Sequence, residues 1–123
     1  MERLIDVKLE ADAVAIGIVE AGELIAAVVY DRYTGHDICM HVAALPGKHW
    51  CSPEFRRTAF SYPFGQLNCR RVTGLVAASN TAARKFDEHL GFVLEGTMRQ
   101  CAEDGGDLLV YGMLRDECRW INR

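Results

Sequence analysis

The chain has 123 residues, of which half are apolar and a quarter are charged, and its formal net charge is −3. This length and balance are typical of a soluble globular chain, so we predict a single domain over residues 1–123. No stretch approaches the roughly 18 apolar residues of a membrane span. The N-terminus also lacks the basic-then-apolar order of a signal peptide. The sequence therefore predicts a cytoplasmic protein without a membrane partner.

The five cysteines are odd in number and widely spaced, at positions 39, 51, 69, 101 and 118. No C-x-x-C motif and no Cys/His pair with zinc spacing occurs in the sequence. We therefore interpret them as reduced thiols in a cytosol-like compartment, and we predict no metal site.

Charge is distributed unevenly along the chain. Residues 48–86 contain seven basic residues and one acidic residue, Glu54, which gives a net +6, and the rest of the chain is net −9. Two interpretations remain open: solvated surface on two helices, or a site for a small polyanion. A nucleic-acid partner is disfavoured because the basic residues come in dipeptides rather than in a stripe, and because the whole chain is acidic.

The first half of the chain predicts three strands joined by short turns, at 13–20, 23–33 and 38–45. Such spacing is typical of an antiparallel meander. The second strand is apolar on both faces from Leu24 to Tyr30, which indicates a central strand covered on both sides. Residues 1–12 allow either an edge strand or a short helix. Residues 46–51 are predicted to form a loop.

A helix is predicted to begin after Ser52, with Ser52 as the N-cap, Pro53 at the first helical position and Glu54 in the first turn. Pro63 is expected to kink or shorten this helix. A fourth main strand follows at 71–78. Because a helix joins the third and fourth strands, the connection is a crossover and the two strands are predicted to be parallel.

The second helix is predicted between Asn80, a good N-cap, and Gly91, which suits the left-handed position that ends a helix. Apolar residues recur on one of its faces, at Ala82, Phe86 and Leu90. A strand from Phe92, a turn at 103–106 and a last strand at 107–114 complete the order β-β-β-α-β-α-β-β. This order indicates an α+β fold with a mixed sheet.

The segment from Asn80 to Arg99 resembles the second half of a GNAT acyltransferase, most of all the branch that acetylates protein N-termini and small amines. The shared pattern runs through Asn80, Glu88, Gly91, Phe92, Glu95, Gly96 and Arg99. The resemblance covers 17–113; it is strong after Arg71, fair before Leu45 and poor between Pro46 and Arg57. It implies a GNAT-like mixed sheet with a parallel central strand pair and flanking helices, in which the usual N-terminal helices are reduced.

The resemblance also implies acetyl-CoA as co-substrate. Its pyrophosphate would lie at the start of the helix led by Ser52, where backbone N–H groups favour an anion. The matching loop lacks the glycines that are usual in the family. The residues implied in cofactor binding are Trp50, Cys51, Ser52, Phe55, Arg56, Arg57 and Asn80. Two of these residues have a purely structural alternative, Asn80 as an N-cap only and Trp50 as a packing residue. Cys51 has a chemical alternative, as a nucleophile at a helix start.

Two residues are catalytic candidates. Asp87 occupies the position at which many GNAT enzymes carry a tyrosine that protonates the leaving thiolate, and a carboxyl there needs a raised pKa to donate. His41 on the third strand titrates in the range of a general base, although a core or surface histidine is an open alternative. Glu54 and Tyr111 are weaker candidates for the base.

Two functions follow from this reasoning. One is an N-acetyltransferase that moves an acetyl group from acetyl-CoA to a primary amine by direct attack, the amine being unidentified. The other is a non-catalytic GNAT-like module that binds CoA or a protein partner. The last strand is apolar on both faces over residues 108–111 and is expected to expose an apolar edge. On that basis we predict a homodimer.

Overall fold

The structure, a computed structural model, describes residues 2–8, 13–45 and 50–121. Within them, seven strands form one sheet that is flanked by two α-helices. The strands are β1 Glu2–Lys8, β2 Val14–Glu20, β3 Glu23–Asp31, β4 Asp37–Ala44, β5 Arg71–Ala77, β6 Val93–Met98 and β7 Leu108–Leu114. The α-helices are α1 Pro53–Ser61 and α2 Thr81–Leu90, and short helical turns follow at Tyr62–Gln66 and Arg115–Glu117.

All predicted strands and both helices are present, with most ends shifted by one or two residues. The segment before residue 13 contains an edge strand, β1, rather than a helix. Residues 9–12 and 46–49 lie outside the described residues. The second of these ranges contains Lys48 and most of the predicted loop at 46–51. None of the helices in the described part of the chain is long and apolar enough to cross a membrane.

The strand order across the sheet is β1-β2-β3-β4-β5-β7-β6. The predicted parallel pair is confirmed: β4 runs parallel to β5, and every other neighbouring pair is antiparallel. The expectation that β7 is an exposed edge is wrong, because β7 lies between β5 and β6. Its apolar residues on both faces reflect this interior position, and the edge strand on that side is β6.

Both helices pack on the same side of the sheet, which we call the helix face. Tyr30 on β3 donates a hydrogen bond from its hydroxyl to the carbonyl of Ala59 in α1. Tyr111 on β7 donates from its hydroxyl to Glu88 Oε2 in α2, at 2.7 Å. Both tyrosines are fully buried. The main core therefore lies between the helix face of the sheet and the two helices.

The opposite side of the sheet, which we call the open face, carries no helix among the described residues. Only residues 9–13 separate β1 from β2, and the chain after β7 packs against the core on the helix face through Cys118, Trp120 and Ile121. The central position expected for β3 is confirmed, but the expectation that both of its faces are covered is wrong. Leu24 is 51% exposed, and Ala27 and Val29 are only half-buried.

The helix boundaries follow local chemistry. Ser52 Oγ accepts the Phe55 N–H at 3.1 Å, and Asn80 Oδ1 accepts the Ala83 N–H at 3.1 Å, so both predicted N-caps are confirmed. Gly91 ends α2 with φ 111°, in the left-handed region. At Pro63 the regular α1 has already ended, and a π-helical turn takes its place, because proline has no N–H to continue the helix.

Candidate functional site

The candidate site begins where β4 and β5 separate. Their parallel pairing covers only three residue pairs, from Asp37 with Arg71 to Cys39 with Thr73. Beyond this point β4 continues beside β3 as far as Ala44, and β5 continues beside β7 as far as Ala77. The two strands therefore diverge, and within the described residues their inner edges over 40–44 and 74–77 are not paired with each other.

A cavity of ≈ 550 Å³ occupies the gap between the diverging strands and α2. Met40 and Val76 line it from the helix face of the sheet, and His41 and Leu75 line it from the open face. Residues from both faces of the sheet therefore contribute to the lining of the cavity. Its size falls within the range of about 300–1,000 Å³ that is usual for small-molecule sites.

The apolar face of α2 forms one wall of this cavity. Ala82, Ala83 and Phe86 line it, together with the N-cap residue Asn80. Trp50 closes the same wall, with its ring 5.2 Å from that of Phe86 and 5.5 Å from that of Phe55, which is buried in α1. The apolar face of α2 that the sequence predicted therefore borders the cavity as well as the core.

Asp87 also lines the cavity, near the point where the strands diverge. A Cβ at position 74 would lie 3.2 Å from Asp87 Oδ2, so Gly74 leaves room for this carboxyl. Burial raises the pKa of Asp87 to about 6, and the neighbouring charge of Glu88 acts in the same direction. Asp87 can therefore exist in both protonation states near neutral pH.

His41 lies at the mouth of the cavity on the open face and is paired with a carboxylate. Its Nε2 is 2.9 Å from Asp31 Oδ1, on the neighbouring strand. Both side chains remain about one third exposed, at 38% and 35%. Such a partner fixes the orientation of the imidazole ring. His41 can therefore accept a proton at the open-face mouth.

The start of α1 follows β4 and lies next to Trp50. Besides the Ser52 cap, Arg56 donates from Nη1 to the Cys51 carbonyl at 2.7 Å and stacks on Trp120, with Cζ 4.6 Å from the ring centroid. Arg56 thus braces the segment that leads into the helix. Arg57 is exposed.

The structure brings together four of the residues singled out from the sequence, since Trp50, His41, Asn80 and Asp87 all line one cavity. Ser52, Cys51, Arg56 and Arg57 lie at the adjoining helix start, and Phe55 is a core residue that contacts Trp50. Sequence reasoning missed Asp31 and Gly74. Asp31 had a signal, because the meander puts it diagonally across from His41.

No family model and no curated protein matches this chain. Among solved structures, it is similar to mutant forms of the spermidine/spermine N-acetyltransferase SpeG from Vibrio cholerae, with 22% identity and a TM-score of 0.73 over 87% of this chain and 69% of that one. A further mutant of the same enzyme gives 22% identity and a TM-score of 0.75, over 93% and 70%. A probable acetyltransferase gives 22% and 0.75, over 88% and 64%.

The chain has the GNAT acetyltransferase fold. The prediction of a GNAT-like α+β fold with a parallel central pair is therefore confirmed. At 22% identity the likeness establishes the fold alone, and the activity has to be argued from the cavity and its residues.

Proposed function

We propose that this protein transfers an acetyl group from acetyl-CoA to a primary amine. The observation that carries the proposal is the cavity between the diverging parallel strands, because residues from both faces of the sheet line it. Two substrates can then approach each other from opposite sides. The likeness to a spermidine/spermine N-acetyltransferase and to a probable acetyltransferase supports the same reaction class.

The donor would enter from the helix face. The unpaired inner edges of β4 and β5 offer backbone groups to the amides of the pantetheine arm, much as an added strand would. The apolar wall of Phe86 and Trp50 suits its methylenes, and Asn80 lies at the same wall. The pyrophosphate would lie against the N-terminus of α1, at Cys51 and Ser52, with the exposed Arg57 nearby and Arg56 and Phe55 holding the segment in place.

The amine would enter from the open face, where His41 stands with Asp31. An ammonium group must lose a proton before it attacks, and His41 is the base placed to accept it. The free amine then forms a C–N bond to the thioester carbonyl carbon, the C–S bond breaks to release the thiolate, and the new amide nitrogen loses its second proton to solvent. Holding both reactants in line supplies most of the rate gain in such a transfer.

Asp87 would return a proton to the leaving thiolate. A thiol has a pKa of about 8.5, above the value of about 6 for Asp87, so transfer from the protonated carboxyl to the thiolate is downhill. This role matches the position of Asp87 on the cavity wall beside Gly74. The tyrosine of the family is thus replaced by an acid whose pKa is raised by burial.

The alternative is a non-catalytic module that binds CoA or a protein partner. The start of α1 favours it, because Pro53 has no N–H and Ser52 Oγ already accepts the Phe55 N–H. Glu54 adds a negative charge in the same turn. Fewer donors then remain for a phosphate than in a glycine-rich loop.

A thermal-shift titration with acetyl-CoA tests the donor site. A ligand at a hundredfold excess over Kd stabilises the native state by about 2.7 kcal/mol, so we expect a clear rise in Tm. Mass spectrometry should then detect acetylated spermidine or an acetylated peptide N-terminus. Mass detection is preferable to a thiol reagent, because none of the five cysteines is protected in a disulfide and the ones that are not buried would react. Binding without any acetylated product would select the non-catalytic module that binds CoA, and no binding would refute the transferase and leave only a module that binds a protein partner.

We further propose that the protein works as a homodimer in a reducing, cytosol-like compartment. The five cysteines form no disulfide with one another and three of them are buried, which suits such a compartment.

A further inference from the structure

The open face of the sheet exposes apolar side chains that are buried in most folded proteins. The strand register places Leu24, Val93 and Leu114 on this face. Their cross-strand partners, Val19, Gly112 and Arg71, each alternate with neighbours that point to the helix face. They are 51%, 50% and 47% exposed. Four half-buried apolar residues lie on the same face: Val29, Leu75, Leu108 and Val110.

Nothing in the described part of the chain covers this surface. Both α-helices and the residues after β7 lie on the helix face. The connection from β1 to β2 has only five residues, 9–13, too few for a pair of covering helices. A monomer rarely leaves a contiguous apolar patch larger than about 300–600 Å² in contact with water.

We propose that the open face is the contact surface between two copies of this chain, stacked sheet against sheet. Seven strands spaced about 4.8 Å apart, each about seven residues long, present roughly 800 Å² on one face. A standard stable interface buries about 800 Å² per partner. One open face therefore supplies the area that a dimer needs, without a further protein.

The charges on this face favour a second copy over a charged partner. Arg71 Nη2 lies 2.7 Å from Glu95 Oε1, and its Nε lies 3.7 Å from Asp37 Oδ1. His41 and Asp31 pair in the same way. Because these ionic groups are satisfied within the face, it requires no complementary charge and does not strongly repel its own copy.

Small residues in the middle of the face permit close stacking. Ala27 and Ala43 are cross-strand neighbours on β3 and β4. Packed sheets approach to about 10 Å, which requires side chains of modest size at the centre. The stacked copy would flank the open-face mouth of the cavity, so the amine of the proposed function would reach His41 along the seam between the two sheets. The proposal itself rests on the sheet and not on any acetyl transfer.

The test is the molar mass in solution of the full chain and of two variants. The first variant is Val93→Glu with Leu114→Glu, which puts two charges on the open face. The matched control is Leu94→Glu on the same edge strand, because Leu94 is 46% exposed but pairs with Tyr111 and so points to the helix face. The mass is measured by light scattering at about 50 μM protein, a concentration at which any dimer with a Kd below micromolar is populated.

We expect a dimeric mass for the wild type and for Leu94→Glu, and a monomeric mass for the double variant. Circular dichroism should show that all three remain folded. A monomeric wild type would overturn the proposal. So would a double variant that stays dimeric, and so would loss of the dimer in both variants, because that outcome points to edge pairing through β6. If the double variant is unfolded, the milder Leu114→Gln is expected to raise the dimer Kd at least severalfold, and an unchanged Kd would refute the proposal.

Discussion

Asp87 is a carboxyl group held in an apolar wall, and its environment decides its chemistry. Burial raises the pKa of the Asp87 carboxyl to about 6. An unfolded aspartate has a pKa of about 3.9, so the native protein holds this proton more tightly than the unfolded chain does. Between these two values the native state binds more protons, and its stability falls as pH rises. Above about pH 6 the buried carboxylate carries its full cost.

Asp87→Asn is therefore expected to stabilise the protein at pH 7.5 by about 1–2 kcal/mol, after allowance for solvent screening. The gain should shrink as pH falls from about 6 to about 4 and disappear near pH 4, where both side chains are neutral in the native protein. Urea unfolding across this range and at pH 7.5 measures it. The control is Glu103→Gln in the exposed turn before β7, which should show no such pH dependence. A gain of equal size at every pH would contradict the assignment.

At the residue scale the sequence predicted part of the site. Asn80 and Asp87 were found because the helix pattern fixes their spacing from Gly91, and all three occupy the expected positions. The pairing of His41 with Asp31 was not found, since it depends on a strand register that only the sheet reveals. The role of Gly74 likewise depends on α2 packing above β5.

At the scale of elements, local chemistry predicted the strands and helices better than their arrangement. Caps and turn residues act within a few positions, so the starts at Ser52 and Asn80 were predictable. The place of β7 between β5 and β6 was not. Either strand of the last hairpin can pair with β5, and only burial of Leu109, Tyr111 and Met113 decides between them.

The left-handed end of α2 gives a prediction at this scale. Gly91 has φ 111°, and its N–H bonds to the carbonyls of Asp87 and Glu88 at 3.2 and 3.1 Å. Gly91→Ala forces a Cβ into that conformation and should cost about 1–2 kcal/mol of unfolding free energy. Gly65→Ala is the control, because Gly65 has no positive φ and no atom within 4 Å of an added Cβ. Equal losses in both variants would contradict this account.

For the whole molecule, the uneven charge gains a spatial meaning from the fold. The basic segment 48–86 runs from the end of β4 through α1 and β5 into α2, which are the elements around the cavity. Acetyl-CoA carries its phosphates at the end remote from the thioester. In the proposed function, the exposed Arg57 near the start of α1 would supply positive charge for these phosphates, whereas Arg70 and Arg71 of the same segment lie at the other end of the parallel pair.

Binding of acetyl-CoA should therefore weaken as salt is raised, whereas binding of acetyl-pantetheine, which has no phosphate, should barely change. Arg57→Ala is expected to weaken acetyl-CoA binding about two- to fivefold, the effect of losing roughly 0.5–1 kcal/mol from one exposed ion pair. The control is Arg70→Ala, because Arg70 is also exposed but precedes β5, at the opposite end of the parallel pair from α1. Arg56 is a poor choice, since its loss would also release the Cys51 carbonyl and Trp120. Calorimetry measures all of these affinities at about 50 and about 300 mM salt, that is, below and above the physiological ionic strength. Equal weakening by both arginine variants would indicate a diffuse field, and no weakening by Arg57→Ala would remove this residue from the phosphate site.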